Sequence, residues 1–170
     1  MKRRTIWKWV VYAAIAVLFS TVETRFLPYL RVHGVSPAFG AALTVCVAMF
    51  EGGTGGAFFG LLCGALCYLD PAGGETVYML VYMFGGYTVG VLCEELFRRN
   101  FTVALLLTLA VTTAATAVYL IFVVVLARRP AAGTLLLSAL IAVGMNTAAA
   151  LFVYPPVRRT ALTFNVIEKA

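Results

Sequence analysis

Charged residues are scarce in this chain: of its 170 residues, only 12% are Asp, Glu, Lys or Arg. A soluble domain carries about 25% charged residues and roughly 45–50% apolar ones. Here 62% of the residues are hydrophobic, and a chain this short cannot enclose so much apolar surface within itself. The scarcity of charge therefore excludes an ordinary soluble domain and predicts a single integral membrane domain over residues 1–170.

Residues that commonly carry catalysis are also few. The one histidine, His33, falls in a predicted loop, and the two N-terminal lysines and the C-terminal one are expected outside the membrane spans. The chain has no His-Glu-x-x-His pair, no phosphate-binding loop and no dinucleotide fingerprint. Because no nucleophile, base and orienting group can be assembled, the sequence predicts a protein that is not an enzyme and that holds no cofactor.

No cysteine lies in a predicted loop, which argues against a disulfide framework. The four cysteines all fall inside apolar runs, at Cys46, Cys63, Cys67 and Cys93. There a cysteine packs as a small apolar residue. Cys63 and Cys67 are four residues apart and share a helix face, so a metal-binding or redox pair stays an alternative for those two.

Six apolar segments are separated by charged residues or by Gly and Pro, at about residues 6–22, 36–51, 53–69, 76–96, 101–127 and 134–155. This pattern predicts an all-α, polytopic membrane bundle of about six transmembrane helices. A span needs about 20 residues, so the second and third segments are short. They either cross a locally thinned bilayer or form a re-entrant hairpin. Ser36 is expected to cap the second helix and Pro37 to lie in its first turn.

The basic residues predict the orientation of these spans. The net charge of +6 does not indicate nucleic-acid binding, because Lys and Arg cluster at the ends of apolar runs, as loop anchors of membrane proteins do. With six spans, nine basic residues fall on one side and four on the other. The richer side is expected to be cytoplasmic and to carry both termini, and it faces anionic lipid.

Glycines recur every four residues at Gly52, Gly56, Gly60 and Gly64, which places them in one stripe on a helix. Gly86 and Gly90 repeat the spacing in the fourth segment. Small residues at this spacing allow helix backbones to approach closely in lipid. The stripe is expected either to pack inside the bundle or to form a docking groove for another membrane protein.

A few polar side chains stand out against the apolar background. Asp70 ends the third segment, where a solvated or capping role competes with a ligand role. Glu51 is expected to reach the headgroup layer, and Asn146 to hydrogen-bond across helices. Tyr82 and Tyr87 flank a glycine pair in the fourth segment, and Tyr12 is expected among the interfacial aromatics.

Four motifs follow one another along nearly the whole chain. They are the loop 27–37 with Pro28, Gly34 and Pro37; the glycine-rich stretch from Gly52 to Asp70; the stretch 80–90 with Tyr82, Gly85, Gly86, Tyr87 and Gly90; and Asn146 followed by Tyr154-Pro155-Pro156 and Arg158-Arg159. In this order they resemble the rod shape-determining protein MreD family. Glu51 departs from the resemblance, because the family usually has an apolar or small residue there.

The resemblance implies a function that composition does not show. MreD-like proteins are non-enzymatic scaffolds of the bacterial cell-elongation (rod) complex in the inner membrane. Their partners are an MreC-like protein, the actin-like MreB, and the glycosyltransferase and transpeptidase of lateral peptidoglycan synthesis. Their fold is similar to that of the substrate-binding components of energy-coupling-factor vitamin transporters. Such a vitamin-binding component is the alternative function, with Tyr29, His33, Tyr78 and Asp70 able to supply a pocket.

Overall fold

The long apolar runs form helices, which satisfy the backbone hydrogen bonds within one segment. The structure, a computed structural model, describes residues 2–26, 29, 37–68, 77–95, 100–126 and 132–168. Within these residues the helices are α1 (Lys2–Arg25), α2 (Gly40–Tyr68), α3 (Val77–Glu95), α4 (Phe101–Leu126) and α5 (Ala132–Glu168). The predicted all-α class is confirmed. Stretches in α1, α2, α4 and α5 are long and apolar enough to cross a membrane.

Helix α2 is not straight but folds back on itself. Gly52 has φ 82° and ψ −175°, which is not a helical conformation. A methyl group added at Gly40 would lie 3.1 Å from the Cys67 sulfur, whereas in a straight helix these residues would be about 40 Å apart. Helix α2 is therefore a hairpin, with a first arm (residues 40–51) and a second arm (residues 53–68) that run antiparallel.

Counting the two arms separately, consecutive helical segments alternate in direction. Helix α1 runs antiparallel to the first arm, because Lys8 near its start pairs with Glu51, whereas Glu23 near its end accepts from the Phe39 N–H. The rings of Tyr78, at the start of α3, and Tyr119, near the end of α4, stack at 6.1 Å. The rings of Phe101, at the start of α4, and Tyr154, late in α5, meet at 5.2 Å. The described chain thus forms six alternating helical segments.

The first arm is the centre of the bundle. Every residue from Ala41 to Met49 is buried, on all sides of the helix. A helix that is apolar all round is stable only where neighbours or lipid surround it. Here the neighbours are the other helices: α1, α4 and α5 pack on α2, and α3 makes most of its inter-helix contacts with it. Small side chains such as Ala41, Ala42 and Ala48 allow these neighbours to come close.

Two predicted boundaries need correction. Helix α5 does not end at Pro155 but continues through Pro155 and Pro156 to Glu168. Neither proline has an N–H, and a helix tolerates this loss with a kink. Helix α2 begins at Gly40, and Leu43 N–H donates to the Phe39 carbonyl. Pro37 therefore precedes the helix instead of lying in its first turn, and Ser36 lies outside the described residues.

Candidate functional site

The glycine stripe packs directly on the backbone of α3. A methyl group at Gly56 would meet the Gly86 carbonyl, and one at Gly60 would meet the Tyr82 carbonyl. Gly64 faces Met79 in the same way, and Gly90 faces the backbone of Gly52 and Gly53. The contacts run in antiparallel register, and the stripe is buried. The glycines therefore serve internal packing between the second arm and α3, and they are not exposed for docking.

Gly52 makes the hairpin turn possible. Its combination of positive φ and extended ψ belongs to a region that essentially only glycine adopts. The Gly52 backbone also lies directly against Gly90 of α3. Helix α2 thus reverses at Gly52, and α3 approaches closely at the same residue. The regular spacing of the glycines in the sequence indicates neither role.

A buried ion pair joins α1 to the tip of this hairpin. Lys8 Nζ lies 2.7 Å from Glu51 Oε2, and the two side chains are 10% and 8% exposed. The Tyr12 hydroxyl donates to Glu51 Oε1 at 2.9 Å. Lys8, expected outside the spans, and Glu51, expected to reach the headgroup layer, are thus buried against each other inside the bundle. A buried charge is costly unless it is paired, and each of these two charges neutralises the other.

The Tyr12 ring is part of the core and not an interfacial aromatic. It has no exposed surface, and it packs edge-on against Trp9 at 6.1 Å and against Phe59 at 6.2 Å. Lys8 and Tyr12 are one turn apart on α1, so they present their polar groups to the same point. That spacing, together with a lysine in an apolar run, indicates a polar site on α1, but it does not identify Glu51 as the partner.

The opposite end of the bundle holds the start of α2. Ala38 N–H donates to Asn146 Oδ1 at 2.7 Å, and Phe39 N–H donates to Glu23 Oε2 at 3.0 Å. Ala38 and Phe39 directly precede α2, and their backbone N–H groups need acceptors where water is excluded. Here side chains from α5 and α1 supply the acceptors, so Asn146 does bond across elements. Glu23 had no assigned role in the sequence, because its acceptor role depends on how α1 docks.

The described residues at this end enclose a small cavity. Its volume is about 20 Å³, and its lining includes Glu23, Thr24, Cys63 and Cys67. Such a volume holds about one water molecule. Among the residues that the structure describes, no group of three or more His, Cys, Asp or Glu side chains is placed to hold a metal ion. Cys63 and Cys67 are not joined by a disulfide.

A much larger groove opens between α3 and α4. Its volume is about 510 Å³. Its lining is almost entirely apolar and comprises Leu80, Val81, Phe84, Gly85, Thr88, Val89, Leu92, Leu107, Ala110, Val111, Ala114 and Val118. The Thr88 hydroxyl donates to the Phe84 carbonyl of its own helix, so it offers an occupant no free donor. The groove fits hydrocarbon or an apolar helix face.

The remaining predicted residues are dispersed. Tyr82 is buried against Gly40, whereas the Tyr87 side chain is half exposed beside Gly53. Gly85 lines the groove and does not belong to the buried stripe. Asp70, Pro28 and Gly34 lie outside the described residues.

No protein-family model, no curated protein and no solved structure matches the chain.

Proposed function

We propose that this protein is a non-enzymatic membrane scaffold of the MreD type, which supports cell shape and lateral peptidoglycan synthesis in the bacterial inner membrane. The order of the four sequence motifs supports the proposal. So does the architecture, in which glycine contacts and a buried ion pair fix the helices around a solid core. A rigid core with open lateral faces suits a protein that holds partners in place.

The observation that carries the proposal is the apolar groove between α3 and α4. Helices in lipid associate by close packing, because hydrocarbon offers no hydrophobic driving force between them. Ala110, Ala114 and Gly85 leave room for such packing, and the groove spans about three helical turns of each helix. A partner of the elongation complex, such as an MreC-like protein, would dock here, while the glycine stripe stays inside the bundle.

The six alternating helical segments support six membrane crossings with both termini in the cytoplasm. The arms of α2 are about 18 and 24 Å long at about 1.5 Å per residue. A hydrocarbon core is about 30 Å thick, so a bilayer crossed by both arms is thinned locally. The hairpin turn at Gly52 lies beside Lys8, at the end of the bundle that the basic residues assign to the cytoplasm.

The vitamin-binding alternative is less well supported by the described residues. A pocket for a small molecule has a volume of roughly 300–1,000 Å³ and a few convergent polar groups. The cavity near Glu23 holds about 20 Å³. The groove has the volume, but its one polar side chain, Thr88, is bonded within its own helix. A helix or lipid partner fits such a surface better than a polar vitamin does.

Two substitutions on α4 test this proposal. Ala114 and Ala117 are both exposed, but only Ala114 lines the groove. In a rod-shaped host depleted of the native protein, the wild type and Ala117→Phe are expected to restore rod shape. Ala114→Phe, which fills the groove, is expected to leave cells round and to lose co-purification of the MreC-like protein. Unchanged width and length on depletion would contradict the elongation role. Tight binding of a vitamin by the purified protein would favour the transporter alternative.

A further inference from the structure

Helix α5 is longer than a membrane needs, and its surface changes character along its length. Its 37 residues extend about 55 Å, whereas a bilayer including headgroups is about 40–45 Å thick. Before the two prolines, Leu151 and Phe152 are 51% and 71% exposed, as lipid-facing residues are. After them, Arg158 and Arg159 are exposed. The edge of the hydrocarbon layer therefore falls near Pro155 and Pro156.

The part of α5 beyond the prolines has one buried face and one exposed face. Val157 and Ala161 are buried against the bundle, on one face. Arg158, Arg159 and Leu162 are exposed on the other. An exposed face that combines arginine with a large apolar side chain is typical of helices that lie in the headgroup layer. The exposed Leu162, one turn beyond Arg158, adds a large apolar side chain to this basic face.

An aromatic cluster positions Arg158. The Tyr154 ring is buried, contacts the ring of Phe101 at 5.2 Å and lies 6.3 Å from that of Phe50. The Arg158 guanidinium carbon lies 6.0 Å from the centre of the Tyr154 ring, within the range of a cation–π contact. This contact restricts the side chain, which therefore loses less conformational freedom when it binds an anion.

We propose that Arg158 and Arg159 bind the phosphate groups of anionic phospholipids and so anchor this end of the bundle in the inner leaflet. Guanidinium groups bind phosphate oxygens through paired, charge-assisted hydrogen bonds. The apolar surface at Leu151 and Phe152 lies one to two turns away, where the acyl chains of the same lipid would pack. This lipid site does not depend on the scaffold function or on any partner protein, and only its assignment to the inner leaflet rests on the orientation proposed above.

Native mass spectrometry of the detergent-purified protein tests the site, with phosphatidylglycerol and phosphatidylcholine titrated separately. The wild type is expected to bind phosphatidylglycerol more tightly. A basic residue near anionic lipid contributes about 1 kcal/mol, or roughly a fivefold change in affinity. The double variant Arg158→Gln/Arg159→Gln is therefore expected to bind phosphatidylglycerol about 25-fold more weakly, with unchanged binding of phosphatidylcholine. The double lysine variant is expected to keep most of the affinity, since it keeps the charge.

Three control variants separate this site from general effects of charge or folding. Arg25→Gln removes an exposed arginine from the opposite end of the bundle and is expected to leave the phosphatidylglycerol affinity unchanged. Tyr154→Phe keeps the ring and the affinity, whereas Tyr154→Leu is expected to lower the affinity several-fold. Equal losses in the Arg25 and the Arg158/Arg159 variants would overturn the proposal. So would an unchanged preference for phosphatidylglycerol in the double glutamine variant.

Discussion

Replacing Glu51 by Gln tests whether the ion pair at the hairpin tip holds α1 in place. Both side chains of the pair are at most 10% exposed, so Glu51→Gln or Lys8→Met removes one charge of the pair and keeps the other buried. Breaking a buried pair in this way costs about 3–5 kcal/mol. Replacing both residues, as Lys8→Met/Glu51→Leu, removes both charges, and such replacements are often neutral or stabilising. The double variant is therefore expected to be more stable than either single variant.

Reversible unfolding in mixed detergent micelles measures these free energies. Lys8→Met, Glu51→Leu, their combination and the wild type form a double-mutant cycle, in which the expected coupling between Lys8 and Glu51 is about 3 kcal/mol or more. Glu95→Gln is the matched control, because Glu95 is exposed near the same end of the bundle and is expected to change stability by less than about 0.5 kcal/mol. Additive losses in the double variant would refute the pairing.

Other predictions concern the glycines and the start of α2. Gly60→Ala is expected to destabilise the protein by at least about 2 kcal/mol, because the added methyl group meets the Tyr82 backbone. Gly144→Ala, where nothing lies within 4 Å, is expected to be neutral or to stabilise α5 by up to about 1 kcal/mol. Gly52→Ala is expected to cost about 1–3 kcal/mol from backbone strain alone. Asn146→Leu removes the acceptor of the Ala38 N–H and is expected to cost about 1 kcal/mol. All four are measured by the same unfolding assay, and equal effects of the Gly60 and Gly144 changes would contradict the packing described here.

The sequence predicted the glycine contacts better than the polar ones, for a physical reason. Spacing along one helix places Gly52, Gly56, Gly60 and Gly64 on one face, so the stripe can be read without knowing its partner. The contact between Lys8 and Glu51 depends on how α1 docks against a hairpin whose reversal rests on one residue. No local pattern contains that information.

The predictions of two helix boundaries were wrong for a related reason. Pro155 and Pro156 normally end a helix, but Val157 and Ala161 beyond them are buried against the bundle, and this packing favours the continued helix despite the lost hydrogen bonds. The start of α2 is likewise fixed by acceptors on Glu23 and Asn146. In both cases tertiary contacts outweigh the local signal.

The accessibility of the hairpin turn tests the proposed membrane arrangement most directly. Thr54 is exposed, two residues from Gly52. In a variant whose four native cysteines are replaced, Thr54→Cys is expected to react with a membrane-impermeant maleimide only from the cytoplasmic side, as Arg159→Cys does. Arg25→Cys is expected to react only from the outer side. Labelling of Thr54→Cys from the outer side, together with Arg25→Cys, would make α2 a re-entrant hairpin and contradict six crossings.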